Sequence, residues 1–358
     1  MTTYGHGGDV NSFAAHCGCA LEEVIDLSSN INFITPNVDF SSVTLNAYPS
    51  YERLTETLAE HYGVTSEEVE LFNGGSSAIF TLLRFFDNLT CTIYSPAYLE
   101  YKKASHLHGK KVCLINRFEA MDTEVEENSL VIFVNPSTPD GHYYEIETLI
   151  QMWIVKNCTI LIDESFLEFC GGESATRYLQ TYDKLYVLKS QTKFYGCAGV
   201  RVGIVLSSRE NIRTLREKEP LWKISALDSH FLITALADEP FRARSHALND
   251  EAKRYLKTLL DLSALFEEVF ESDANFFLVR LAHMNAKEFQ EKLIPHRIMV
   301  RDCSNFDFLD ERYVRIAVKS VSELKRFEIA ITNITSEMRE GTISKTDKKS
   351  AREDCGGE

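Results

Sequence analysis

The stretch KLYVLKSQTKFYGCAGVRVG, residues 184–203, joins two kinds of sequence. Its first third is a short β-rich apolar run. The remainder sets Lys193 among Ser190, Thr192 and small residues, and places Arg201 eight positions on, among glycines. A surface lysine needs neither the strand before it nor the glycines after it. An apolar run that stops at polar residues is the pattern of a buried strand, and in open α/β sheets ligands sit beyond the carboxyl ends of such strands.

Three further runs share the pattern: CTIYSP (91–96), LVIFVNP (130–136) and TILIDES (159–165). Helical patterns alternate with them. YERLTETLAEHYG (51–63) reads as an amphipathic helix ending at Gly63, and SSAIFTLLRFF (76–86) as another, with Ser76 or Ser77 placed to cap it. The alternation predicts an α/β fold with a mostly parallel sheet covered by helices on both faces. EPFRARSHALNDEAKRYLKTLLDLSALFEEVF (239–270) reads as one or two long helices leading into a smaller α/β unit built from NFFLVRL (275–281) and RYVRIAV (312–318). The expected organisation is an N-terminal arm (1–45), a large domain (46–240), a small C-terminal domain (241–335) and a charged, aperiodic, disordered tail (336–358).

The 358 residues suffice for a sizeable core, with 44% apolar and 25% charged residues. A net charge of −15 without a basic stripe argues against a nucleic-acid partner. No apolar run approaches the roughly 20 residues that span a membrane, and no basic-then-apolar leader opens the chain, so a cytoplasmic protein is expected. The nine cysteines are scattered, and the CGC at Cys17–Cys19 finds no second pair to complete a zinc site, so no metal is expected.

Asp163 ends one apolar run and Lys193 follows the end of the next. Alone, the aspartate could cap a helix and the lysine could sit in a surface ion pair. Together, on one rim of a right-handed parallel sheet, they fit pyridoxal 5'-phosphate: the lysine condenses with the aldehyde, and the carboxylate keeps the pyridine nitrogen protonated. The phosphate then needs a cradle. FNGGSSAIF (72–80) offers Gly75 and Ser76 at a helix start, where backbone N–H groups and the helix dipole favour an anion. Ser190 and Arg201 can add a hydroxyl and a charged partner, and Tyr98, after another strand end, can stack on the ring or simply belong to the core.

This set resembles fold-type I pyridoxal-phosphate enzymes. Within them it is similar to the threonine-phosphate decarboxylases of cobalamin biosynthesis, which are close to histidinol-phosphate aminotransferases. HGGDV (6–10), LSSNINF (27–33), AYPSY (47–51), SPAYLEY (95–101), DESFLEF (163–169) and IMVRDCSNFDFLDERYVRIAVKS (298–320) carry the likeness alongside the lysine motif, over roughly residues 6–334. The resemblance implies that Lys193 is the Schiff-base lysine and Asp163 the pyridinium partner. Gly75, Ser76, Ser190 and Arg201 would bind the cofactor phosphate. Tyr98 would stack on the ring, and Tyr48 would reach the cofactor phosphate of the neighbouring subunit in a homodimer with active sites at the interface.

Two departures stand out. The usual NNPTG reads STPDG at 137–141, so Thr138 replaces the asparagine that donates to the cofactor's 3'-oxygen. Phe166 stands where the aminotransferases carry a tyrosine, as in the decarboxylase branch. The implied substrate is an O-phospho-L-amino acid, threonine or serine phosphate, whose amino-alcohol phosphate product would serve a cobamide nucleotide loop. Arg301 and Arg315 are the candidates for its two anions, and His6, Asn30 and Asn32 come from an arm able to close over the site. A histidinol-phosphate-type aminotransferase is the alternative.

Overall fold

The computed structural model describes residues 7–353, with side chains described as far as Arg339. Helix α1 (Val10–Cys17) and strand β1 (Ile25–Asp26) form the N-terminal segment. Seven strands then build one sheet: β2 (Val69–Phe72), β3 (Thr90–Ser95), β4 (Lys111–Asn116), β5 (Leu130–Val134), β6 (Thr159–Asp163), β7 (Leu185–Ser190) and β8 (Gly203–Ser207). Their order is β2-β8-β7-β6-β5-β3-β4, and β8 alone runs against the rest.

Strand periodicity explains how this sheet is covered. Successive side chains of a strand point to opposite faces. Val131, Phe133, Ile160, Ile162 and Val187 therefore join one apolar cluster, and Ile132, Val134, Leu161, Tyr186 and Leu188 join another. The first face is packed by α2 (Glu52–Tyr62), α5 (Glu147–Val155) and α7 (Ala226–Leu236); the second by α3 (Gly75–Phe85), α4 (Leu99–Leu107) and α6 (Arg209–Arg216). Each fully buried Leu, Ile or Phe contributes about 1.5–3 kcal/mol, so both layers are firmly held. The same parity puts Asp163 and Ser190, the last residues of β6 and β7, on the face covered by α3 and α4.

Helix α2 ends at Gly63 with φ 65, as its sequence predicts. Helix α3 departs from expectation. Its N-cap is Gly74, at φ 82, and Ser76 falls within the first turn with no side-chain cap. The backbone explains the choice: φ 82 with ψ 160 is a conformation that favours glycine, and the Arg201 guanidinium also lies within 2.4 Å of where a β-carbon on residue 74 would sit.

Helix α8 (Glu239–Leu262) links the two cores, with Phe241 in the first cluster and Ala252, Leu256 and Leu260 in a separate one. Around that second core lie β9 (Phe266–Val269), β10 (Phe276–Leu281), α9 (Ala286–Leu293), β11 (Ile298–Met299), β12 (Arg301–Asp302), β13 (Tyr313–Ala317) and α10 (Val321–Glu353). Four of these strands make an antiparallel sheet in the order β12-β13-β10-β9, while β1 pairs in parallel with β11 and so anchors the N-terminal segment to this unit. The stretch from residue 336, expected to be a disordered tail, continues α10 to Glu353. Met338 still packs on the core, and extending a formed helix needs no new nucleus. Among the described residues no helix is long and apolar enough to cross a membrane.

Candidate active site

A cavity of about 200 Å3 opens at the carboxyl ends of β3, β5, β6 and β7 and is closed by Ser28–Asn30 on one side and by Arg301, Phe306 and Arg315 on another. Asp163 forms part of its floor, 5% exposed. Its Oδ2 accepts from the Tyr101 hydroxyl at 2.7 Å; its Oδ1 accepts from the Ser165 amide at 2.9 Å and hydroxyl at 2.5 Å. Burial raises the Asp163 pKa, while the Ser165 and Tyr101 hydrogen bonds and the Lys193 charge oppose the rise. These donors fix the carboxylate's orientation and favour its charged form.

Lys193 lies in the turn after β7 and lines the same cavity. Burial is the largest cause pulling its pKa down to about 8, followed by the charge of Arg315, with Asp163 opposing. A lysine so placed carries a substantial neutral fraction near neutrality, which a nucleophilic amine requires.

At the other end of the cavity, α3 begins at Gly75 and Ser76, whose first-turn N–H groups have no carbonyl one turn back to bond. Arg201 lies against Gly74 and is held by its own Nη1 donating to the Ala198 carbonyl at 3.1 Å. The Ser190 hydroxyl is 3.1 Å from that of Thr192, and the Ser76 hydroxyl is 3.4 Å from that of Tyr98. Helix N-terminus, guanidinium and hydroxyls together can hold a phosphate. These cradle residues line one cavity together with Asp163, Tyr98 and Lys193. The residues present thus suit a phosphorylated pyridine aldehyde.

The remaining predicted residues fall into three groups. Arg301 and Arg315 are direct cross-strand neighbours on β12 and β13, 8% and 7% exposed, and both line the cavity. Arg315 donates to the Thr138 hydroxyl at 2.9 Å and to the Ser28 carbonyl at 2.8 Å, over the ring of Phe276 at 5.2 Å. Burial is the main cause lowering its pKa to about 10; Cys303 and then Asp26 push the other way, and the neighbouring Arg301 charge adds to the lowering. Thr138 therefore ties the cofactor side of the cavity to the arginine side, and its own O–H remains able to donate. Phe166 packs edge-on against Phe276 at 5.1 Å and so supports the ring beneath Arg315. Asn30 lines the cavity.

Asn32 does not reach it. Its Nδ2 donates to the Phe194 carbonyl at 2.7 Å and the Ser245 hydroxyl at 2.6 Å, and its Oδ1 accepts from Asn249 at 2.9 Å. Its backbone N–H also bonds the Lys193 carbonyl at 3.0 Å. Asn32 is a staple for the Lys193 turn rather than a substrate ligand, because distant partners saturate its amide. Tyr48 is 76% exposed and stacks on Trp222 at 4.2 Å, outside the cavity of this chain. His6 lies outside the described residues.

Sequence reasoning missed Tyr101, Ser165, Ser28 and Phe306. Two of these had a local signal. Tyr101 stands three residues after Tyr98 on one helix face, and Ser165 stands two residues after Asp163, the spacing of an aspartate-capped turn. The other two depend on long-range packing.

The chain belongs to the aminotransferase class I and II family, whose model matches residues 22–332. The fold is that of the fold-type I pyridoxal-phosphate transferases. The threonine-phosphate decarboxylase of Salmonella typhimurium is 26% identical over 355 residues, covering 92% of this chain and 96% of that protein. The histidinol-phosphate aminotransferase of Methanocaldococcus jannaschii is 27% identical over 362 residues, covering 94% and 96%. Among solved structures, the histidinol-phosphate aminotransferase of Sinorhizobium meliloti in complex with pyridoxal 5'-phosphate shares the fold at a TM-score of 0.78 and 16% identity, over 92% of this chain and 95% of that one.

Proposed function

We propose that the protein binds pyridoxal 5'-phosphate and decarboxylates an O-phospho-L-amino acid, L-threonine O-3-phosphate or L-serine O-phosphate, to the amino-alcohol phosphate of a cobamide nucleotide loop. One observation carries the reading: two buried guanidiniums, Arg301 and Arg315, lie side by side on the wall beside Lys193. Confining two like charges is unfavourable unless anions meet them, and a substrate with both a carboxylate and a phosphate supplies two.

When bound, the cofactor supplies an electron sink that accepts the electron pair of a bond broken at Cα. The chain's residues decide which bond that is. Arg201, Ser190, Ser76 and the start of α3 grip the cofactor phosphate. Asp163, oriented by Tyr101 and Ser165, keeps a proton on the ring nitrogen, and Tyr98 walls the ring. Arg315 and Arg301 would grip the substrate's two anions and so orient its Cα–carboxylate bond for cleavage in preference to the Cα–H bond. Lys193, in its ammonium form, would supply the proton that Cα takes up in place of CO2 and be left as the neutral amine.

Tyr48, Leu45, Leu221 and Trp222 form an exposed apolar set, 76%, 72%, 75% and 52% exposed, that suits a homodimer in which Tyr48 serves the neighbouring site.

A second reading, amino transfer from histidinol phosphate, is supported by the Methanocaldococcus jannaschii relative, which is as similar as the decarboxylase. Incubation with O-phospho-L-threonine and O-phospho-L-serine separates the two. Release of CO2 without 2-oxoglutarate supports decarboxylation; turnover that requires 2-oxoglutarate and histidinol phosphate replaces it with transamination.

A further inference from the structure

The segment between β12 and β13, residues 303–312, holds the head of Arg301. The Asn305 Oδ1 accepts from Arg301 Nη2 at 2.8 Å, and the Phe306 ring lies under the guanidinium at 5.3 Å while also lining the cavity. Its two ends are tied to the small unit by backbone bonds, Cys303 N–H to the Tyr313 carbonyl at 2.9 Å and the Glu311 and Arg312 carbonyls to the Ala286 and Leu281 N–H groups at 2.7 and 2.8 Å, whereas the bonds of its middle are local: Phe306 to Cys303 at 3.0 Å and Leu309 to Phe306 at 3.3 Å. Local turns of this kind fix a loop's shape and leave its position open.

Two contacts with the large sheet's unit hold the middle of the segment from the other side. Lys102, on α4, forms an ion pair with Asp307, and Phe118, just after β4, packs on the cluster of Leu278, Cys303 and Phe306. The Lys102 and Asp307 side chains are 33% and 20% exposed, so water screens the pair only in part. Helix α4 starts immediately after Tyr98 and carries Lys102 one turn further on. The helix that follows the cavity-lining Tyr98 thus also carries the cation that pairs with the loop steadying Arg301.

The geometry points to Lys102 and Asp307 as positioning residues for substrate recognition, acting through Asn305 and Phe306 on Arg301. This rests on the reading of Arg301 as an anion receptor. Neither residue touches the cofactor cradle. Their ion pair holds residues 303–309 against α4, so Arg301 meets the substrate already oriented. Without it the loop must be ordered each time substrate binds, and affinity falls while the bond-breaking step changes little.

The test uses the full-length holoenzyme and three variants: Lys102→Ala, Asp307→Ala and the charge swap Lys102→Asp/Asp307→Lys. Amide hydrogen exchange over residues 303–309, measured without substrate, is expected to quicken about threefold or more in each single variant and to return toward the parent rate in the swap. With O-phospho-L-threonine, KM is expected to rise about five- to tenfold in the single variants with kcat within about twofold, and the swap is expected to recover most of the loss. Exchange unchanged in the single variants, or a swap no better than either of them, overturns the proposal. If no O-phospho-amino acid is turned over by the parent enzyme, the functional reading fails, and the exchange rates still decide whether the ion pair holds the loop.

Discussion

Replacing Arg315 by alanine probes the site from its substrate side. The guanidinium is 7% exposed, its Nη1 and Nη2 bond Thr138 and Ser28 at 2.9 and 2.8 Å, and its Nε has no partner among the described residues. Two nitrogens therefore position the fork and leave a donor for an anion. Removing one partner of a buried, hydrogen-bonded charge pair costs about 2–5 kcal/mol. That corresponds to a fall of about 30- to 5,000-fold in kcat/KM. Cofactor binding should survive, because the cradle of Gly75, Ser76, Ser190 and Arg201 contains no contact with Arg315. The assay is CO2 release from O-phospho-L-threonine, with the visible absorbance of bound cofactor recorded on the same samples. Arg315→Lys is the control: it keeps a charge but loses the planar fork, so kcat/KM should still fall while the electrostatics around Lys193 stay close to those of the parent. A loss of less than about tenfold, some 1.4 kcal/mol, in protein that retains its cofactor would refute the role given to Arg315.

The Lys193 amine is lowered to about 8, so covalent capture of added pyridoxal 5'-phosphate by cofactor-free protein should rise with pH through about 8 and level off above it. Arg315→Ala removes a charge that disfavours the ammonium and should move that midpoint upward; a parent midpoint near the free-lysine value of about 10.4 contradicts the account. Asp163→Asn keeps an acceptor for Tyr101 and loses the charge, so kcat should drop by more than about tenfold, and turnover retained within that limit would remove Asp163 from the chemistry. Asn32→Ala takes a donor from the buried Phe194 carbonyl and Ser245 hydroxyl and one of the two acceptors of the Asn249 amide, which keeps the Ser245 carbonyl, and urea titration should show a loss of about 2–4 kcal/mol; a change under about 0.5 kcal/mol would mean the staple carries no load.

The gathering of Asp163 and Ser190 at one cavity was readable from local pattern, because both close apolar runs and strand parity puts both on one face of the sheet. Lys193 follows three residues beyond the second of them. Arg301 and Arg315 could be named as residue types suited to anions. Their pairing could not be read, since it depends on the register of two strands across the 303–312 segment. Asn32 illustrates the opposite failure. Its sequence context suggests an arm over the site, yet its direction is set by Phe194, Ser245 and Asn249, which lie 162, 213 and 217 positions away. The cap of α3 went to Gly74 rather than to a serine because the chain enters the helix at a positive φ there, a conformation that favours glycine, with Arg201 from far along the chain packed against it. Composition marked residues from 336 onward as disordered, but composition does not report that α10 is already formed upstream and extends as far as Glu353.

The central claim concerns which bond at Cα breaks, and a single product analysis in deuterated water addresses it. Holoenzyme is incubated with O-phospho-L-threonine in D2O without any 2-oxo acid, and the products are examined by NMR and for CO2. The account predicts stoichiometric CO2 and an aminopropanol phosphate that keeps its original Cα hydrogen and gains one deuterium beside it. A 2-oxo acid formed without CO2, or substrate recovered with deuterium exchanged at Cα, would show that the site directs the Cα–H bond toward cleavage and would contradict the account.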